Sequence, residues 1–133
     1  MKILLVVVVL GLSALFGPVV PLNAQEKKED ELLLFLMAAR NAAKAGWADK
    51  AIQRYDAYLK KNPEDKDARL EFADYLQDHG YYEKAGIHYD ILIQKIGGVQ
   101  EGTDGFTKKL MLNAARNAFK NKNEDRAVEY YKQ

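Results

Sequence analysis

The chain has 133 residues, 48% apolar and 29% charged, with a formal net charge of +1 at pH 7. That is the composition and length of one folded domain, and the near-neutral balance argues against the basic stripe by which nucleic-acid binders hold phosphate. There is no cysteine, which excludes disulfides, thiolate nucleophiles and thiolate metal sites and leaves the redox compartment unread.

The N-terminus is a different material from the rest. Met1-Lys2 supplies a positive start, and Ile3 to Phe16 is apolar or small and uncharged. Gly17-Pro18 then breaks any helix, because Pro lacks an N–H and clashes with the preceding turn. Leu22-Asn23-Ala24 ends in a small residue before the charged run Glu26–Glu31. This order predicts a secretory signal peptide over residues 1–24, cleaved after Ala24, and a periplasmic or secreted mature chain of residues 25–133. Leu22 is bulkier than the residue usual at that place. The alternative is an uncleaved anchor, against which stands the ~20-residue apolar run that a membrane span needs. With no cysteine after the apolar run, a bacterial lipoprotein anchor is excluded. Cleavage removes Lys2 and no acid, leaving 19 basic and 19 acidic side chains. Their interspersed clusters, such as Lys27-Lys28-Glu29-Asp30-Glu31, read as solvated surface.

Six helices are predicted in the remainder, at Glu29–Ala45, Ala48–Lys61, Asp65–Asp78, Tyr82–Ile96, Phe106–Lys120 and Glu124–Gln133. In the first, Leu32 to Met37 is apolar all round, the mark of a helix buried on more than one side. Gly46 and Gly80 suit the left-handed residue that ends a helix, and Asn121-Lys122-Asn123 takes that place in the last turn, since Asn tolerates the conformation. Pro63 stops the second helix. Gly86 lies inside the fourth at a cost of ~1 kcal/mol against Ala, and close backbone contact with a neighbouring helix is the expected reason. Gly97-Gly98 through Gly105 reads as an inter-helix insertion.

The helices recur with a period. Ala51, Ala85 and Ala127 each follow a basic residue and precede a Tyr by four positions, at Tyr55, Tyr89 and Tyr131. The alanines are 34 apart and then 42 apart. Upstream, Ala39, Ala73 and Ala115 keep one constant offset, and Ala42, Leu76 and Ala118 another. Small Ala lets two helices approach, and Tyr one turn later fills the space beyond. The pattern predicts three helix-turn-helix units, at about residues 32–65, 66–97 and 108–133. Stacked units of this kind normally end in a polar cap. The third would leave Val128 and Tyr131 without a neighbour at Gln133, so either a longer parent protein or a docking end is expected.

On these residues the chain resembles the tetratricopeptide repeat family, whose unit is a 34-residue helix hairpin. The small positions match Ala39, Gly46, Ala51 and Pro63, then Ala73, Gly80 and Ala85, then Ala115 and Ala127. Gly97 stands where the second Pro belongs, and Lys122 replaces the third Gly. The large positions match Phe35, Tyr55, Tyr58, Phe72, Leu76, Tyr82, Tyr89, Met111 and Tyr131. The resemblance implies an all-α fold of antiparallel helix-turn-helix repeats, a right-handed α-solenoid, whose first helices line a concave groove. In this chain that groove would present Leu33, Leu36, Met37, Arg40 and Lys44, then Asp67, Leu70, Glu71, Asp74, Gln77 and Asp78, then Lys109, Leu112, Asn113, Arg116, Phe119 and Lys120. It would be basic at both ends and acidic in the middle, suited to an amphipathic or extended peptide. Family members that clamp a C-terminal carboxylate use a Lys/Asn/Arg set, and Leu36 and Glu71 occupy two of those positions, which speaks against that activity.

Little else suggests chemistry. His79 and His88 fall on different helices, short of the three or four convergent ligands of a zinc site. Ser13 is the one serine and lies in the signal segment, so a serine triad is excluded. The glycines near residue 100 lack the Lys of a phosphate loop. Carboxylate pairs such as Glu64-Asp65 sit near helix starts, where they complement the dipole. Tyr75 and Tyr81 are expected to be the more exposed tyrosines. The expectation is therefore a non-enzyme with no catalytic residue, no metal and no cofactor: an exported scaffold for a protein or peptide partner, in envelope assembly or secretion. A homodimer through the apolar first helix stays open. So do a repeat region of a polysaccharide export system and an accessory segment of a longer enzyme.

Overall fold

The computed structural model describes residues 22–97 and 104–132. Residues 1–21 of the proposed signal segment, most of the glycine-rich insertion and Gln133 lie outside them. The described residues form six helices and no strand: α1 Leu22–Lys44, α2 Ala48–Lys61, α3 Lys66–Asp78, α4 Tyr82–Ile96, α5 Gly105–Lys120 and α6 Glu124–Lys132. The protein is thus all-α, with α1 packed on α2, α3 on α4 and α5 on α6, and with α4 lying against α5. Five helices lie within a residue or so of the sequence expectation. The exception is α1, which starts at Leu22 instead of Glu29 and so runs through Ala24. Its added residues are mostly Ala, Gln, Glu and Lys, all strong helix formers with no Gly or Pro among them.

Each hairpin turn is closed by the same pair of backbone bonds. Gly46 N–H donates to Ala43 C=O and Trp47 N–H to Ala42 C=O, and the second turn repeats this with Gly80 to Gln77 and Tyr81 to Leu76. In the third, Lys122 donates to Phe119 and Asn123 to Ala118. This Schellman-type closure needs one left-handed residue. Gly46 and Gly80 supply it at φ +74° and +82°, and Lys122 supplies it at φ +59°. The flanking asparagines do not take up the conformation, because the bonding register places Lys122 at the left-handed position.

The N-termini of α3 and α5 are capped by carboxylates. Asp65 accepts from Ala68 N–H at 2.9 Å and Asp104 from Thr107 N–H at 2.8 Å. Asp65 also accepts from the Tyr58 hydroxyl, which ties the end of α2 to the start of α3.

Alanines mark the helix crossings. Ala39, Ala42, Ala51, Ala73, Ala85 and Ala115 are all fully buried, and Ala127 nearly so. A larger side chain at such a crossing would have to push two helices apart. Tyr55 and Tyr89 fill the space beyond, and the Tyr55 ring stacks on Phe72 with centroids 4.9 Å apart. In α6 the expectation fails. Tyr131 is 60% exposed, whereas Tyr130 is buried and its hydroxyl donates to Asp90 of α4. Positions three and four beyond Ala127 share a helix face, and α4 offers its carboxylate to the former.

Two more expectations are corrected. Tyr75 and Tyr81 are half-buried against the core instead of exposed, and the Tyr75 hydroxyl is buried with no partner. Gly86 faces a side chain, not a neighbouring backbone. A Cβ there would meet only Asn117 Nδ2, at 3.4 Å, an ordinary contact.

Candidate partner-binding cleft

Local helix geometry brings one acidic face of α3 together. Asp67, Leu70, Glu71, Asp74 and Asp78 are spaced three or four apart and so share a stripe. Tyr75 follows Glu71 by one turn. Against this stripe lie Tyr55 of α2 and the first turns of α5, Gly105, Phe106 and Lys109. Together they line an open cleft of about 700 Å³. Lys66 Nζ of α3 sits 4.9 Å above the Phe106 ring, a cation–π contact that holds the two helix starts together.

Two carboxylates in the cleft are engaged within the molecule. Glu71 accepts from Arg40 Nε at 2.8 Å and Nη2 at 2.6 Å, and from the Tyr55 hydroxyl at 2.6 Å. Burial alone would raise the Glu71 pKa, but the bonds from Arg40 and Tyr55 outweigh it and hold the carboxyl below its ordinary value. Tyr55 is pushed up by burial and by its bond to Glu71. Asp74 accepts from the Tyr89 hydroxyl at 2.8 Å and from Asn113 Nδ2 at 2.7 Å, with Lys109 Nζ 3.2 Å away. Tyr89 is likewise pushed up by burial, then by Asp74. Glu71 therefore ties α3 to α1 and α2, and Asp74 ties it to α4 and α5.

The remaining acids are differently placed. Asp67 and Asp78 are exposed and take part in none of the ion pairs among the described residues. They flank a floor made by Leu70, Tyr75 and Phe106, so the cleft offers unneutralised carboxylates beside apolar and aromatic surface.

Of the groove residues expected from sequence, the cleft gathers Asp67, Leu70, Glu71, Asp74, Asp78 and Lys109. Leu36 does not belong to it, being 7% exposed and part of the core. Its counterpart one repeat on, Leu70, is likewise buried, whereas Leu112 at the same position of the third hairpin is exposed. Arg40, Glu71, Asp74 and Asn113, expected to face a partner, hold the hairpins to each other. Gln77 is buried. Leu33, Met37, Lys44, Leu112, Arg116, Phe119 and Lys120 are exposed but lie outside the cleft lining. Tyr55, Tyr75 and Phe106 were missed. Tyr75 could have been found from its one-turn spacing to Glu71. Tyr55 and Phe106 come from other helices, and no local pattern links them to the stripe.

Among the described residues no group of three or more His, Asp or Glu could hold a metal ion, and no helix is long and apolar enough to cross a membrane. No family model, curated protein or solved structure matches the chain.

Proposed function

We propose that the protein is an exported scaffold of the tetratricopeptide kind, a right-handed stack of helix hairpins whose cleft receives a basic amphipathic segment of another protein during envelope assembly or secretion. The spacing of Ala51, Ala85 and Ala127 and the three matching left-handed turns support the repeat reading. The n-, h- and c-region order of residues 1–24 supports export. One observation carries the choice of partner: Asp67 and Asp78 stand without internal cations on either side of the Leu70–Tyr75–Phe106 floor. A peptide with Lys or Arg about three helical turns apart and apolar residues between them would pair with both carboxylates, which stand at opposite ends of α3, and cover the floor. Such pairing acts on specificity and on-rate and weakens with salt.

Fluorescence polarisation with labelled basic and acidic amphipathic peptides tests this. The basic peptide is expected to bind, and the double variant Asp67→Lys/Asp78→Lys to weaken it at least ~10-fold, about 1.4 kcal/mol. Arg116→Glu, outside the cleft, should leave binding unchanged. Equal binding of both peptides, or an unaffected double variant, would refute the assignment.

A further inference from the structure

Gly86 lies inside α4, where a glycine weakens the helix, and no neighbouring backbone requires it. A Cβ there would meet Asn117 Nδ2 at 3.4 Å and nothing else within 4 Å outside its own stretch of helix. Gly86 lines a pocket of about 200 Å³ between α4, α5 and α6, with Asp90, Asn117, Ala118, Arg126 and Tyr130 among the other walls. This pocket shares no residue with the α3 cleft. The missing side chain at Gly86 is what leaves it room.

The walls supply hydrogen-bond acceptors that the fold leaves free. Asn117 is 3% exposed. Its Nδ2 donates to Tyr82 C=O at 2.9 Å, but its Oδ1 is buried and accepts from no group among the described residues. A buried acceptor in that state is costly until a donor reaches it. On Asp90, the Tyr130 hydroxyl and Arg126 Nη2 both engage Oδ1, and none of the bonds among the described residues goes to Oδ2. Arg126, the cation of the lining, is held in place, with Nη2 2.6 Å from Asp90 and Nε donating to the Tyr130 hydroxyl at 2.7 Å. Glu83, an exposed member of the lining, takes part in none of the ion pairs among the described residues. Glu83 and Asp90 against Arg126 leave one net negative charge. Apolar surface comes from Ala114 and Ala118, both buried, and from Ile87, which is exposed.

Free acceptors and an uncancelled negative charge select against an anion and favour a cation that carries N–H donors. At ~30 Å³ for each water-sized group, the pocket holds roughly seven non-hydrogen atoms, which suits an alkylammonium and not a nucleotide. We propose that the pocket between α4, α5 and α6 binds a primary ammonium group on a short alkyl stem, the chemistry shared by a small free amine and a lysine side chain. The ammonium supplies donors to the acceptors of Asn117 and Asp90, and the stem lies on Ala114, Ala118 and Ile87. Glu83 adds the charge that attracts it. This inference does not depend on the α3 cleft or on its peptide.

Titration of the ¹⁵N-labelled full chain, followed by NMR, tests it. The probes are butylammonium, tetramethylammonium and the capped peptide acetyl-Gly-Lys-Gly-amide. Butylammonium is expected to shift the Gly86 N–H and the Asn117 side-chain amide saturably. Tetramethylammonium, with the same charge and no N–H, should not. Gly86→Leu fills the pocket with a good helix former and should weaken binding at least ~10-fold. Glu83→Gln, at an exposed position, keeps the test decisive if Gly86→Leu disturbs folding, and should weaken binding about threefold. Asp67→Lys/Asp78→Lys, which alters only the α3 cleft, should bind butylammonium as the wild type does. If the peptide binds at least as tightly as butylammonium, the site takes a lysine side chain, and if butylammonium alone binds, it takes a free amine. Absence of saturable shifts at Gly86 and Asn117 would overturn the proposal. So would equal binding of tetramethylammonium, or an affinity that Glu83→Gln leaves unchanged.

Discussion

At the scale of single residues, the turns show how backbone demand and side-chain supply can part company. Gly46 and Gly80 meet the left-handed requirement at no steric cost, but Lys122 meets it at φ +59° with a Cβ that crowds the following carbonyl. The two bonds from Lys122 and Asn123 hold it there. Lys122→Gly should therefore stabilise the protein by roughly 0.5–1 kcal/mol, the relief of that crowding less the entropy that glycine adds to the unfolded chain. Urea denaturation checks it, and a shift of the midpoint to lower urea would contradict this account of the turn. The place of the strained turn was legible from the period, since Asn121-Lys122-Asn123 falls where Gly46 and Gly80 end the earlier first helices. Which of three neighbouring residues would bear the strain depended on hydrogen-bond register.

At the scale of elements, α3 is the part on which the other helices converge. Its two partly buried carboxylates face opposite ways, Glu71 toward α1 and α2 and Asp74 toward α4 and α5. Hydrogen bonds to a charged acceptor contribute roughly 1.5–3 kcal/mol when shielded, and solvent reduces this as exposure rises. The Asp74 side chain is 24% exposed and that of Glu71 36%. Asp74→Ala is expected to cost about 2 kcal/mol and Glu71→Ala about 1 kcal/mol, read from chemical denaturation. The reverse order would show that bidentate geometry at Arg40 matters more than shielding. Sequence alone marked both acids as polar positions on one stripe of α3. It assigned them to a partner, because nothing local reveals that Arg40, Tyr89 and Asn113 come within hydrogen-bond reach across gaps of 15 to 39 residues.

At the scale of the whole molecule, packing sets how the fold responds to acid. His88 lies between Phe72, with ring centroids 4.8 Å apart, and Arg69, whose Nη1 is 3.4 Å from Nδ1. Burial first, and then the Arg69 charge, hold its pKa below the ordinary 6.5, with Asp56 of α2 partly opposing them. Glu71 is also lowered, from 4.5. A group that binds its proton more weakly in the fold contributes stability above its ordinary pKa and loses it as pH falls through the folded value. Stability should therefore decline in two stages on acidification, beginning below about pH 6.5 for His88 and below about pH 4.5 for Glu71. Thermal midpoints of the wild type and of His88→Gln across pH 3.5–8 separate the stages. The variant should lose only the upper one, and identical profiles would rule out His88 as its source.

The sequence by itself determined the helices and their hairpin pairing. Propensity, the alanine–tyrosine period and the turn glycines act over a few residues and can be read along the chain. Only the tertiary structure decided which polar residues of those helices bind each other and which remain for a partner. It likewise selected Tyr130 over Tyr131 and buried Leu36. Those choices depend on which helices lie side by side, a matter of distances between residues far apart in the chain, and a one-dimensional period carries no record of them.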